Sequence, residues 1–93
     1  MIYPGETVKI VAVIKDADGN LIDPASHEIK IYDPSGTLKE TSTSPTKSST
    51  GNYYLFYTLP EDASVGKWKV VWKAVKDSSV SIEKIEFYVA PSP

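Results

Sequence analysis

Apolar and polar residues alternate along most of this chain. From Thr7 to Lys15, Val8, Ile10, Ala12 and Ile14 share one face, while Lys9, Val11, Val13 and Lys15 share the other. A period of two marks a strand with one buried side. The rhythm returns from Asn52 to Leu59. Tyr53, Leu55, Tyr57 and Leu59 fall on one face there, and Asn52, Tyr54, Phe56 and Thr58 on the other. The clearest case is Lys67 to Val75, where Trp68, Val70, Trp72 and Ala74 are predicted inward and Lys67, Lys69 and Lys73 outward. A shorter strand is predicted from about Glu28 to Tyr32, with Ile29 and Ile31 inward. Gly, Pro, Asp and Ser break the pattern about every eight to twelve residues, which predicts an all-β sandwich or barrel. Neither a helical period nor an internal repeat is visible.

The breaks have turn chemistry. Asp16-Ala17-Asp18-Gly19-Asn20 carries residues that tolerate positive φ. Asp33-Pro34-Ser35-Gly36 fits a type I turn at three of its positions. The polar stretch Thr37 to Thr41 reads as an edge strand, since polar edges resist unwanted pairing. Thr41 to Thr50 is Ser/Thr-rich, with only Pro45 and Lys47 between, and reads as a mobile loop. The last strand, Val80 to Val89, breaks phase: Val80 and Ile82 are out of step with Ile85, Phe87 and Val89. A β-bulge at Glu83–Lys84 restores the phase. That bulge pairs Ala74 with Val80 and Trp72 with Ile82, closes the turn at Lys76-Asp77-Ser78 and sets Lys69 opposite Glu86. Residues 1–90 form the expected domain, and 91–93, with two prolines, a stiff tail.

Composition narrows the possibilities. The 93 residues suit one domain. Apolar residues make up 41%, and six Tyr can bury a ring while keeping the hydroxyl bonded or wet. No Cys is present, which excludes disulfides, thiolate metal sites and redox nucleophiles. The net charge of −2 and the use of Lys for every cation argue against nucleic acid, which is read largely by Arg. No apolar run approaches the ~20 residues of a membrane span, and no signal peptide opens the chain, so membrane insertion is not expected.

Several stretches resemble bacterial and archaeal immunoglobulin-like domains of macroglobulin-like or fibronectin type III-like kind. They are Tyr3-Pro4-Gly5-Glu6-Thr7-Val8, then Asp16-Ala17-Asp18-Gly19-Asn20, Gly51-Asn52-Tyr53, Leu59-Pro60, and Gly66-Lys67-Trp68-Lys69-Val70. The resemblance implies an immunoglobulin-like, two-sheet antiparallel sandwich of six to seven strands. It implies little about function, because such modules serve as spacers, adhesion domains and virion parts. The Ser/Thr-rich stretch departs from the family pattern.

Catalytic equipment is lacking. His27 is the only histidine, and a base needs a nucleophile and an orienting partner; it reads as a surface residue at a strand start. No glycine-rich phosphate cradle or nucleophile elbow occurs. Asp16, Asp18, Asn20 and Asp23 have the spacing of calcium ligands, but the distal bidentate Glu is missing, so a plain turn is expected. The chain reads as a non-enzyme with no catalytic, cofactor or metal site. The two Trp share a face with Val70 and Ala74 and read as core rather than as a sugar platform.

The informative feature is an asymmetry of faces. Pairing of the first long strand with the Asn52–Leu59 strand sets Val11, Val13, Tyr54 and Phe56 side by side on an outer face. The opposite sheet shows Lys30, Tyr32, Lys67, Lys69, Lys73, Glu83 and Glu86, a solvated face. The four apolar residues form a candidate contact face, or else Ile2–Tyr3 or a loop lies over them. The expectation is a structural or interaction module whose partner is a protein, either a neighbouring domain or a second copy. A carbohydrate stacked on Tyr54 and Phe56, with Asn52 and Thr58 in reach, is the alternative. The expected setting is a cell surface or a virion.

Overall fold

The alternating segments become strands in the computed structural model, which describes residues 2–93. Met1, counted in the expected domain, lies outside the described residues. In chain order the strands are β1 (Thr7–Val13), β2 (Ser26–Tyr32), β3 (Leu38–Ser42), β4 (Thr46–Ser49), β5 (Asn52–Thr58), β6 (Gly66–Lys76) and β7 (Ser79–Val89). They form two antiparallel sheets, one of order β1-β5-β4 and one of order β3-β2-β6-β7. This is the expected immunoglobulin-like sandwich.

Inward positions meet between the sheets. Ile10 and Ile14 from the first, and Ile29, Ile31, Trp68, Val70 and Trp72 from the second, are almost entirely removed from solvent. Each such aliphatic side chain contributes about 1.5–3 kcal/mol by leaving water. Tyr53 is buried as expected, while Tyr57 is half-buried at the margin, 6.4 Å from the Trp68 ring. Phe87 stacks on the other side of Trp68, at 6.0 Å and 21°.

Both predicted turns form. The Asp16 carboxylate accepts the N–H groups of Asp18 and Asn20 at 2.9 Å each, so the turn's own amides occupy the oxygen considered for calcium. At Asp33-Pro34-Ser35-Gly36, the Gly36 N–H donates to the Asp33 carbonyl. The buried Asp33 carboxylate accepts from the Ser35 hydroxyl at 2.7 Å and from the Ser35 and Thr37 N–H groups. These bonds, the Ser35 hydroxyl foremost, lower its pKa.

Three expectations need correction. The edge strand expected at Thr37–Thr41 forms as β3, but the Ser/Thr-rich stretch after it is not a loop throughout: Thr46–Ser49 pairs with β5 as the outer strand of its sheet. Thr suits an exposed edge strand, and polar side chains there carry no burial signal.

The β7 bulge is absent. β6 and β7 pair without a register break from Gly66↔Val89 to Lys76↔Ser79, so Ala74 faces Ser81 and Trp72 faces Glu83. The turn is the two-residue Asp77-Ser78, with Asp77 at φ 54. That turn is one residue shorter than expected and sends Val80 and Ile82 outward, at 55% and 63% exposure. Both strands of this hairpin have 11 residues against seven in β1 and β5, so inward positions near its tip have little strand opposite them. A bulge there would break ladder bonds for little burial. Lys69 does pair with Glu86, but the Glu86 carboxylate lies nearest Lys67, at 3.5 Å, and Lys84, at 3.8 Å.

The solvated face is the third correction. Glu83 turns to the core side of its strand, and the outer side of β7 adds Val80, Ile82 and Tyr88 to the lysines.

Candidate functional site

The β1–β5 register builds the candidate face. Val11 lies opposite Tyr54, Lys9 opposite Phe56 and Val13 opposite Asn52. With their alternate neighbours buried or partly buried against the core, Val11, Val13, Tyr54 and Phe56 all point outward from one sheet. Phe56 is 60% exposed and Val11 52%. Tyr54 and Phe56 meet edge to face, with centroids 5.5 Å apart and planes at 72°. The Lys9 ammonium sits 4.7 Å from the centre of the Tyr54 ring. Such a cation–π contact is worth about 0.5–1 kcal/mol at an exposed site and fixes the ring. Ile2 does not cover this face: it packs against the core and bridges Val89 on the other sheet. Lys9 is the member that sequence reading left out, although its parity with Val11 and Val13 placed it there.

A second constellation went unrecognised because its members are far apart in sequence. His27 is half-buried rather than a plain surface residue. Its Nδ1 accepts the indole N–H of the buried Trp72 at 3.0 Å. Its ring lies 4.5 Å from that of Tyr53 on the opposite sheet. The Tyr53 hydroxyl donates to Asp23 Oδ1 at 2.9 Å, the Gly51 N–H donates to the same oxygen at 3.1 Å, and Lys47 Nζ reaches Asp23 Oδ2 at 2.7 Å. The polar chain therefore ties the four-stranded sheet, the β4–β5 hairpin and the segment before β2 together. Asp23 followed by Pro24 was the visible signal, but it was read as part of a turn.

Two pH windows follow from this network. Burial lowers the His27 pKa below 6.5, and its Nδ1 can accept the indole proton only while unprotonated. The unfolded chain therefore binds this proton more readily than the folded one. Stability is full above about pH 6.5 and declines as pH falls from there through the folded pKa. The Lys47 ammonium, followed by the Gly51 N–H, holds Asp23 at a pKa of about 2 against 3.8. Its contribution is full above 3.8 and is lost as pH falls through about 2. Thermal unfolding measured across pH should show both declines. His27→Asn, which keeps a neutral acceptor, should flatten only the upper one; an unchanged upper decline would exclude His27 as its source.

Among the described residues no group of three or more His, Cys, Asp or Glu could hold a metal ion. No helix is long and apolar enough to cross a membrane among them. The site is a sheet surface and, beside it, a polar tie between the sheets.

A family model of the MG2 domain matches residues 2–89. The chain belongs to the MG2 domain family. Alpha-2-macroglobulins from Xylella fastidiosa strains 9a5c and Temecula1 are 31% and 30% identical to it over 83 residues, or 86% of this chain. The chain spans only 5% of the length of these relatives. Trypsin-activated alpha-2-macroglobulin from Escherichia coli matches with a TM-score of 0.75 at 23% identity, over 95% of this chain and 6% of that one. The native conformation of the E. coli protein gives 0.74 at 24%, over 95% and 5%. These two likenesses confirm the fold.

In this MG2 domain the opening Tyr3-Pro4-Gly5-Glu6 makes a closed corner. The Glu6 N–H donates to the Tyr3 carbonyl, the Glu6 carboxylate accepts the Tyr3 N–H at 2.7 Å, and the Leu59 N–H donates to the Glu6 carbonyl. The stretches that carried the resemblance are thus corners and strand ends of the MG2 sandwich, and the Val11–Phe56 face lies between them on exposed strand surface.

Proposed function

We propose that this MG2 domain is a non-enzymatic packing module of an alpha-2-macroglobulin-like protein, and that it docks a neighbouring protein domain through Val11, Val13, Tyr54 and Phe56. The observation that carries the reading is the exposure of Val11, Val13 and Phe56, with the half-buried Tyr54 among them, on one regular sheet surface. Apolar patches of a few hundred Å2 are where soluble proteins make contacts. Fixing of Tyr54 between Lys9 and Phe56 supports it, because a pre-ordered aromatic loses little freedom on docking. Kinship with proteins roughly twenty times longer supports a neighbour within one chain as the occupant. An extracellular or cell-surface setting belongs to the same proposal and rests on kinship with bacterial alpha-2-macroglobulins. The virion alternative has no counterpart among the relatives named above.

The carbohydrate reading is weaker. A sugar stacks on open ring faces, whereas here the rings are set edge to face and the Lys9 ammonium sits over Tyr54.

The test is analytical ultracentrifugation of wild type and the double variant Tyr54→Lys with Phe56→Lys, alone and mixed with the domains that flank it in the proposed larger protein. The wild type is expected to associate with a flanking domain, and the variant to lose at least tenfold in affinity with an unchanged circular dichroism spectrum. Equal association by both proteins, or none by either, removes this face as the docking site.

A further inference from the structure

β7 is the last strand of its sheet and, among the described residues, has β6 as its only strand neighbour. All 11 of its residues pair with β6 in one unbroken register, with neither a proline nor a bulge to spoil the outer edge. Long regular edges of this kind template the addition of another strand.

Which backbone groups face that edge follows from two independent features. The two-residue turn makes Lys76 and Ser79 the closing pair, which sets the odd-numbered residues of β7 as those bonded to β6. At the far end, the Ala90 N–H donates outward to the Ile2 carbonyl at 2.8 Å. Both place the N–H and C=O groups of Val80, Ile82, Lys84 and Glu86 on the open side.

The Ile2↔Val89 bridge is parallel, so a parallel ladder is already begun at one end of β7. Beside the remainder of the edge, a groove of about 420 Å3 runs between β7 and the free edge of β1, lined by Val11, Ala12, Val13, Lys15, Glu83 and Ile85. Ile85 and Phe87 point inward yet stay only half-buried there.

We propose that this edge docks an extended polypeptide segment of a partner protein, added parallel to β7 in line with Ile2. Backbone groups of Val80, Ile82, Lys84 and Glu86 bond the segment, and its inward side chains are apolar and fill the groove. This surface shares Val11 and Val13 with the proposed contact face but includes neither Tyr54 nor Phe56.

The probe is a synthetic peptide of five Thr-Val repeats with a Lys at each end, titrated into the 15N-labelled domain. Amide exchange should slow at least tenfold at Val80, Ile82, Lys84 and Glu86 and stay unchanged at Ser81, Glu83 and Ile85, which are already bonded to β6. A spin label on the peptide's N-terminus should broaden signals near Ser79 rather than near Val89. Lys84→Pro, which removes only an outward N–H, should abolish binding, as should a peptide N-methylated at alternate residues should that variant fail to fold. Tyr54→Lys with Phe56→Lys should leave this binding intact. No slowing at the four amides at millimolar peptide overturns the proposal. So does binding that survives Lys84→Pro, a label that broadens the Val89 end, or slowing that grows with protein concentration alone, which would make the occupant a second copy.

Discussion

Trp72→Ala should cost this domain about 3–5 kcal/mol, the usual loss for a buried aromatic cut to a methyl. Trp72 is fully removed from solvent, pairs with Ile29 on the neighbouring β2 and donates its indole N–H to His27. A domain of this length has a total stability of roughly 5–14 kcal/mol, so at the low end of that range the variant sits near its unfolding midpoint. Two contributions are lost together, ring burial and the hydrogen bond, and Trp72→Phe separates them. Phe keeps most of the apolar volume but leaves His27 Nδ1 without its donor, a loss of about 1–3 kcal/mol. Burial should win, with the Ala variant losing clearly more than the Phe variant. Urea unfolding followed by circular dichroism reads both midpoints. Equal losses would mean that the bond, and not the ring, holds this part of the core.

Strand parity explains how much of the fold could be read in advance. In β1, and from Trp68 to Ala74 in β6, the inward residues are buried, and in β5 Tyr53 is buried with Leu55 and Tyr57 partly so; these residues are apolar and the period of two is plain. The contact-face residues are the opposite parity of two of those strands, and their placement side by side followed once β1 and β5 were paired. β7 was misread for the same reason that the others were clear. Its tip has little strand opposite, so Ser81 and Glu83 take inward positions without full burial and the apolar Val80 and Ile82 take outward ones. Apolar periodicity reports burial, and it misleads where a strand outruns its partner sheet. β4 had no period to read, being exposed along its length. The His27–Trp72 bond spans 45 positions and depends on which imidazole nitrogen meets an indole, a matter of rotamer and register rather than of local pattern.

The same limit applies to the Asp23 tie, and Gly51→Ala tests it most severely. Gly51 is buried, has φ +76, and a methyl built on it would lie 2.9 Å from the Ile14 carbonyl oxygen and 2.9 Å from Leu21 carbons. The Ile14 N–H donates to the Gly51 carbonyl at 2.7 Å, and the Gly51 N–H donates to Asp23, so the backbone is held on both sides and has no room to withdraw. The left-handed backbone costs an L residue about 1–2 kcal/mol, and forcing a methyl against fixed atoms adds about 1–3. The total should be about 2–5 kcal/mol on that basis. Gly36→Ala is the control. Its φ is +89, but no atom lies within 4 Å of the added methyl, so only the backbone cost applies. Urea midpoints should place Gly36→Ala below wild type by that backbone cost alone and Gly51→Ala well below both. Amide exchange in Gly51→Ala should rise first at Tyr53 and along β4, because the hairpin loses its hold on Asp23. Equal destabilisation by the two substitutions would show that conformation alone sets the requirement for glycine, and that the close approach of Ile14 and Leu21 relaxes at no cost.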